Sequence, residues 1–280
     1  MSEPAAGVRL TMVRCSTLLI EWPGGRVLTD PWFAMRLRGL PCLRRPGLAP
    51  DRLGRLDAVL ASHLHPDHFE RRVVESLRPA PPLVLLPPGA LERLRGPHPP
   101  AFTELAPWQS VPVAGATVTA VPARHTGPGP DEVNFVLEIP GWGRLFFGGD
   151  ARFDGPVLQA IARRFAPIRV ALLPVGGTRI LGVRTVMDPA DALAAARLLQ
   201  ARTVLPIHEG GIWLSVPPLS LHPGRARHLA ALAERAPGSP EVRVLSEGES
   251  LELRRVPYRI DEGSTGDVHT PSAVTTAARS

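Results

Sequence analysis

The stretch Ser62-His63-Leu64-His65-Pro66-Asp67-His68 constrains this chain more than any other, because four side chains able to ligate a metal fall within six residues. It follows Asp57-Ala58-Val59-Leu60-Ala61, an apolar run that reads as a short buried strand. In extended backbone residues two apart point the same way, so His63 and His65 share one face and can meet one cation. Pro66 holds His65 extended and cannot continue a ladder, so the chain turns there and presents Asp67 and His68 from a second direction. That arrangement suits a second cation nearby. A solvated polar loop is the bland reading, but only nine of 280 residues are His, and the clustering favours a metal site.

The rest of the composition narrows the function classes. The net charge of +6 and a pI near 10.9 would suit nucleic acid. Yet no basic run exceeds two residues and no aromatic residues interleave with the charge as base stacking requires. All 32 basic residues are Arg and none is Lys, a bias that fits GC-rich codon usage better than a binding role. Cys15 and Cys42 have neither the number nor the spacing of a disulfide framework or a thiolate site, which fits a reducing cytoplasm. No segment approaches the about 18 uninterrupted apolar residues of a membrane span. The expectation is a cytoplasmic protein acting on a small molecule, with neither nucleic acid nor membrane as a partner.

Along the chain, residues 8–30 alternate as paired antiparallel strands around Pro23-Gly24-Gly25 and end at Asp30-Pro31-Trp32-Phe33. An irregular segment runs on to Pro50. A helix is expected from Phe69 to Leu77 and a buried strand at Leu83–Leu86. Short strands follow at 116–121, 133–139, 144–147 and 170–173. The clearest helix is 189–200, capped by Asp188 with Pro189 in its first turn. Then come a strand to Ile207, a helix over 225–235, and closing strands at 242–245 and 250–253. One domain over residues 1–261 is expected, with Glu262–Ser280 too polar to order.

Further ligands should sit at strand ends. His125 follows the strand 116–121; Asp150 ends Leu145-Phe146-Phe147-Gly148-Gly149; His208 ends Thr203–Ile207. Each alone is weak, since loop histidines are commonly solvated and Gly-Gly-Asp is a common turn. In order, however, Asp30, His63-x-His65-x-Asp67-His68, His125, Asp150 and His208 resemble the five motifs of the metallo-β-lactamase superfamily, over about Val8 to Leu253. Within it, Leu28-Thr29-Asp30-Pro31, Gly148-Gly149-Asp150, Leu173-Pro174-Val175-Gly176-Gly177, Met187-Asp188-Pro189-Ala190-Asp191-Ala192 and Leu205-Pro206-Ile207-His208 are most similar to the branch of ascorbate-6-phosphate lactonases and N-acyl-phosphatidylethanolamine phospholipase D-like enzymes.

The resemblance implies an α/β fold, a four-layer αββα sandwich with the site on one edge. It implies that His63, His65 and His125 hold one metal and Asp67, His68 and His208 the other, with Asp150 bridging. Asp30 would orient a ligand histidine from behind by a hydrogen bond. One departure stands out: many relatives carry Gly-His where this chain has Arg14-Cys15.

The function expected is a dinuclear metal-dependent hydrolase, in which a hydroxide on the metals attacks a lactone, ester or phosphodiester of an anionic small molecule and Asp67 and Asp150 serve catalysis. The cofactors are two divalent ions, zinc first, with manganese or iron accepted by the same donors. Arg36, Arg38, Arg152 and Arg179, with Arg184, could grip a phosphate. In a lipid version Trp32, Phe33, Met35, Leu37 and Leu40 would form a lip, although such residues more often pack as core. The rival classes are a metal-dependent oxidoreductase, a non-hydrolytic ligand-binding member of the same fold, and a nuclease. His98, His222 and His228 are expected to be solvated, with His222 the one able to line the pocket.

Overall fold

The computed structural model describes residues 7–80, 83–124 and 132–254. His125 and the expected tail therefore lie outside the described residues. Strict alternation along the strands builds the layers. In Val133–Ile139 the side chains of Val133, Phe135 and Leu137 enter one cluster and Val136 enters another; in Gly143–Phe147, Leu145 and Phe147 go one way and Phe146 the other. Such two-sided burial of period-two strands requires a layer on each face.

Two seven-stranded sheets result. The first runs Ser250–Arg254, Gly7–Arg14, Thr17–Trp22, Gly25–Thr29, Ala58–Leu60, Val84–Leu86, Phe102–Glu104. Its first four strands are antiparallel and its last three join in parallel. The second runs Glu241–Val242, Thr203–Ile207, Val170–Pro174, Gly143–Phe147, Val133–Ile139, Ala116–Pro122, Ser110–Val113. It too is parallel at one end and antiparallel at the other. Leu10, Leu18, Ile20 and Leu60 of the first sheet meet Phe135, Leu137, Phe147 and Leu172 of the second in the central core. Val74 and Ala90, from the short helices Arg71–Ser76 and Ala90–Leu94, cover the outer face of the first sheet. Helices Gly155–Phe165, Pro189–Leu198 and Ala226–Glu234 cover the second. This is the four-layer αββα sandwich expected.

Local chemistry explains the boundaries. Asp188 accepts from the amides of Ala190 and Asp191 while Asp191 reaches back to the Asp188 amide, a reciprocal cap that starts the helix at Pro189. The helix stops at Leu198 rather than Gln200 because Gln200 turns left-handed, with φ of 49°. The helix Gly155–Phe165 is absent from the sequence reading. Its signal is Asp154, whose carboxylate accepts from the Val157 amide, followed by Pro156 in the first turn. The irregular segment after Phe33 contains a small hairpin, Arg36–Leu37 with Leu40–Pro41.

The central core supplies a direct test. Phe135 is fully buried between the sheets, so Phe135→Ala should destabilise the fold by about 3–5 kcal/mol. Urea unfolding should show a lowered midpoint with unchanged slope.

Candidate metal centre

Strand ends of both sheets converge on one edge. Asp30 directly follows Gly25–Thr29, and its amide donates to the Leu60 carbonyl at 2.8 Å, prolonging the parallel pairing beside the histidine cluster. Its fully buried carboxylate then organises that cluster. One oxygen accepts from the Ser62 amide at 2.7 Å; the other accepts from Ser62 Oγ at 2.8 Å and His68 Nδ1 at 2.6 Å. With its proton committed to Asp30, the Ser62 hydroxyl accepts from His63 Nδ1 at 3.0 Å. Both histidines therefore present Nε2, not Nδ1, to the cleft.

The second sheet supplies the facing groups. Asp150 Oδ1 lies 3.7 Å from His63 Nε2, while Oδ2 lies 3.7 Å from His68 Nε2 and 3.8 Å from His208 Nε2. Its two oxygens thus face two different groups of histidines. Asp67 Oδ2 stands 3.9 Å from His208 Nε2 and 4.0 Å from His68 Nε2. Among the described residues, three groups have their ligand atoms within 4.8 Å of one another. In Asp30 with His63 and His68 the carboxylate is taken up by hydrogen bonds to Ser62 and His68. The two donor sets that face the cleft are His63 with His65 and Asp150, and Asp67 with His68 and His208. His63 stands near His65 and His68, with ring centroids 4.5 and 4.1 Å apart, and His68 stacks on His208 at 5.1 Å.

These residues fit a cation. His68 Nε2 and His208 Nε2 are buried and make no hydrogen bond among the described residues, and separations of 3.7–4.0 Å are too long for one. Burial alone would depress His68, but the carboxylates of Asp30, Asp150 and Asp67 outweigh it and push the imidazole up to about 10. Burial pushes His208 down to about 4, against the pull of Asp150 and Asp67. A mixed imidazole and carboxylate set without thiolate is one that zinc, manganese or iron can accept. Cys15 and Cys42, both buried, take no part in these donor sets.

The backbone is strained where it delivers these groups. Asp30 and His208 have φ of 33° and 47°, and Cys15, whose carbonyl accepts from the His208 amide at 3.3 Å, has φ of 57°. Gly149 is left-handed as well, and a Cβ there would sit 2.5 Å from Glu132 Oε1 and 2.8 Å from Ser62 Oγ. Only glycine lets the second sheet close on the first at this point.

Several contributors escaped the sequence reading. Buried Glu132 accepts from the Asp150 amide at 3.2 Å. Trp213 lies tilted against His208 at 4.9 Å and stacks on Trp32 at 6.0 Å and on His222 at 5.2 Å, forming one wall of the site. His222 is half-buried, with Nδ1 3.1 Å from Thr178 Oγ1, rather than solvated. Arg14, at the unusual Arg14-Cys15 position, is fully buried 3.7 Å above the Trp32 ring and donates to the carbonyls of Trp32, Ala34 and Arg44. No local pattern marks Glu132, whose partner is Asp150 across the second sheet, or Trp213, whose ring meets His208 and His222 nearby in the chain and Trp32 from the first sheet's side. The arginines considered for substrate, Arg36, Arg38, Arg152 and Arg179, are exposed and lie outside the donor sets, and Arg184 is paired with Asp188. Trp32 and Phe33 are buried; Met35 and Leu40 are exposed.

The role of Asp30 can be measured. Asp30→Asn removes the acceptor that fixes His68, and metal affinity in a chelator competition should fall about 10–100-fold with the fold retained.

Comparison with known proteins fits this geometry. Residues 25–208 match the family model described as Beta-lactamase superfamily domain. A UPF0173 metal-dependent hydrolase of Polaromonas sp. is 31% identical over 238 residues, covering 75% of this chain and 80% of that protein. Igni18, a metallo hydrolase of the archaeon Ignicoccus hospitalis, shares the fold with a TM-score of 0.69 at 24% identity, over 89% of this chain and 99% of its own. A possible metal-dependent hydrolase of Veillonella parvula does so with a TM-score of 0.70 at 17% identity, over 89% and 100%. With about two thirds of its length inside the family model and a UPF0173 relative 31% identical over 75% of the chain, the protein belongs to the metallo-β-lactamase superfamily, as a metal-dependent hydrolase of the UPF0173 family.

Proposed function

We propose that the protein is a dinuclear hydrolase of lactones, esters or phosphodiesters carried by an anionic small molecule. The observation that supports this reading is the placement of Asp150, one oxygen toward His63 and the other toward His68 and His208, between two donor sets. His63, His65 and Asp150 would hold one ion and Asp67, His68 and His208 the other, with His125 as the further ligand that the superfamily pattern implies. Zinc is the first candidate, and manganese and iron suit the same donors.

When bound, two divalent ions supply an activated water, polarise the scissile oxygen and leave net positive charge that favours an anionic transition state. The chain's own residues do the rest. Asp30, directly and through Ser62, keeps the Nε2 lone pairs of His68 and His63 aimed inward. Asp67, with 16% side-chain exposure against 8% for Asp150, is the carboxylate that solvent reaches, and is placed to take up a proton. The same proton would then pass to the leaving group, from Asp67 directly or by way of the more enclosed Asp150. Trp213 and Trp32 close one side of the cleft and keep bulk water from it. Arg36, Arg38, Arg152 and Arg179 are assigned to an anionic group of the substrate.

Metal analysis coupled to a hydrolysis screen across lactones, phosphodiesters and carboxylic esters tests the reading. Two equivalents of metal are expected, with turnover in at least one class. His208→Ala and His65→Ala should each lose about one equivalent and at least about 100-fold in kcat/KM. A His65→Ala variant that keeps both equivalents and full turnover overturns the assignment.

A further inference from the structure

Twelve large hydrophobic side chains are exposed among the described residues, and nine of them fall in three segments, 35–43, 180–183 and 214–221. So uneven a distribution marks a surface with a partner. The segments are far apart in sequence but joined in space. The Leu43 amide donates to the Ile212 carbonyl at 2.8 Å, the Leu181 amide donates to the Leu219 carbonyl at 3.0 Å, and Arg179–Ile180 pairs with Ser220–Leu221. Trp213 follows Ile212 and packs, tilted, against His208, and His222 follows Leu221 and stacks on Trp213. The apolar residues therefore form one rim beside the metal centre.

The charge of this rim is one-sided. Residues 31–50, 176–187 and 210–227 contain eight arginines and no Asp or Glu, although the chain has 26 acidic residues. Arg44 and Arg184 are tied to Glu209 and Asp188, but Arg36, Arg38 and Arg179 are exposed beside the exposed leucines. A face shared between two copies about a two-fold axis would set these arginines against themselves with no carboxylate to answer them. An anionic bilayer answers both features, taking the apolar side chains below the headgroups and the guanidinium groups among the phosphates.

We propose that the rim formed by the Arg36–Pro41 hairpin, the Arg179–Arg184 hairpin and the loop through Leu219 docks the protein on an anionic lipid surface, with the metal cleft at that surface. It enlarges the lipid lip considered from the sequence, departs from the expectation that a membrane is not a partner, and gives Arg36, Arg38 and Arg179 to the headgroups, leaving Arg152 for an anionic group of the substrate. It does not depend on which bond the centre hydrolyses, because docking is measured without turnover.

The test is co-sedimentation of the metal-loaded full chain with vesicles of equimolar phosphatidylglycerol and phosphatidylcholine, and with vesicles of phosphatidylcholine alone. Binding is expected to the mixed vesicles, to weaken as salt rises, and to be at least about tenfold weaker on phosphatidylcholine alone. Leu181→Ser with Leu219→Ser should weaken it about tenfold or more while metal content and thermal midpoint stay unchanged. Arg36→Glu with Arg38→Glu should weaken it by about fivefold or more per position. Failure to sediment with the mixed vesicles overturns the proposal, as does equal sedimentation of the wild type and the leucine variant. A dimer in ultracentrifugation that the leucine substitutions dissolve, without vesicle binding, reassigns the rim to a contact between copies.

Discussion

The centre depends on one buried carboxylate. Asp30 makes three short hydrogen bonds, two to Ser62 and one to His68, and the Ser62 hydroxyl passes its orientation on to His63. Burial raises the carboxyl of Asp30, and the His68 imidazole and Ser62 hold it back. A charge taken out of water is tolerated only when such partners surround it. In return the acid fixes which nitrogen of each histidine faces the cleft, and it does so from the end of a central strand, where the backbone has little freedom. The histidine cluster follows the neighbouring strand Ala58–Leu60, so the pairing of those two strands is what brings the acid and its histidines together.

Much of this was legible in the chain because it is written locally. The alternation in 133–139, the apolar run before His63, the Asp188-Pro189 start and the strand-ending Asp150 and His208 each follow from short-range rules of direction and capping. The elements that were not legible act at long range. Glu132 matters because the second sheet brings it beneath the Asp150 amide, and Trp213 because its ring stacks on Trp32 from the far end of the chain. The helix Gly155–Phe165 has a legible start in Asp154, four residues beyond Asp150, and in Pro156. Met35 and Leu40 stand out in the sequence as part of a possible lip, but the wider apolar surface exists only once segments 35–43, 180–183 and 214–221 are bonded together.

Arg14 shows how a departure from a family pattern can be absorbed. Where the resemblance read from the sequence leads to an expected glycine, this chain places a fully buried guanidinium, lying over the Trp32 ring and answered by three backbone carbonyls instead of an acid. Burial lowers its pKa. The planar fork of donors suits carbonyls arriving from several directions, which an ammonium would serve less well. The result ties Trp32, Ala34 and Arg44 to the first strand and so anchors the loop beneath the rim.

The two sheets repeat one plan, antiparallel at one end and parallel at the other, and each delivers only part of the donors: His63, His65, Asp67 and His68 from the first, Asp150 and His208 from the second. Neither sheet by itself completes either of the two donor sets that face the cleft. The grip on an ion is therefore a gauge of alignment between the halves, and the interior filling that separates them acts as its spacer. A methylene gained or lost at Phe147 or Leu172 would be read out at the cleft edge as altered selectivity between ions of different radius, with every ligand still in the sequence.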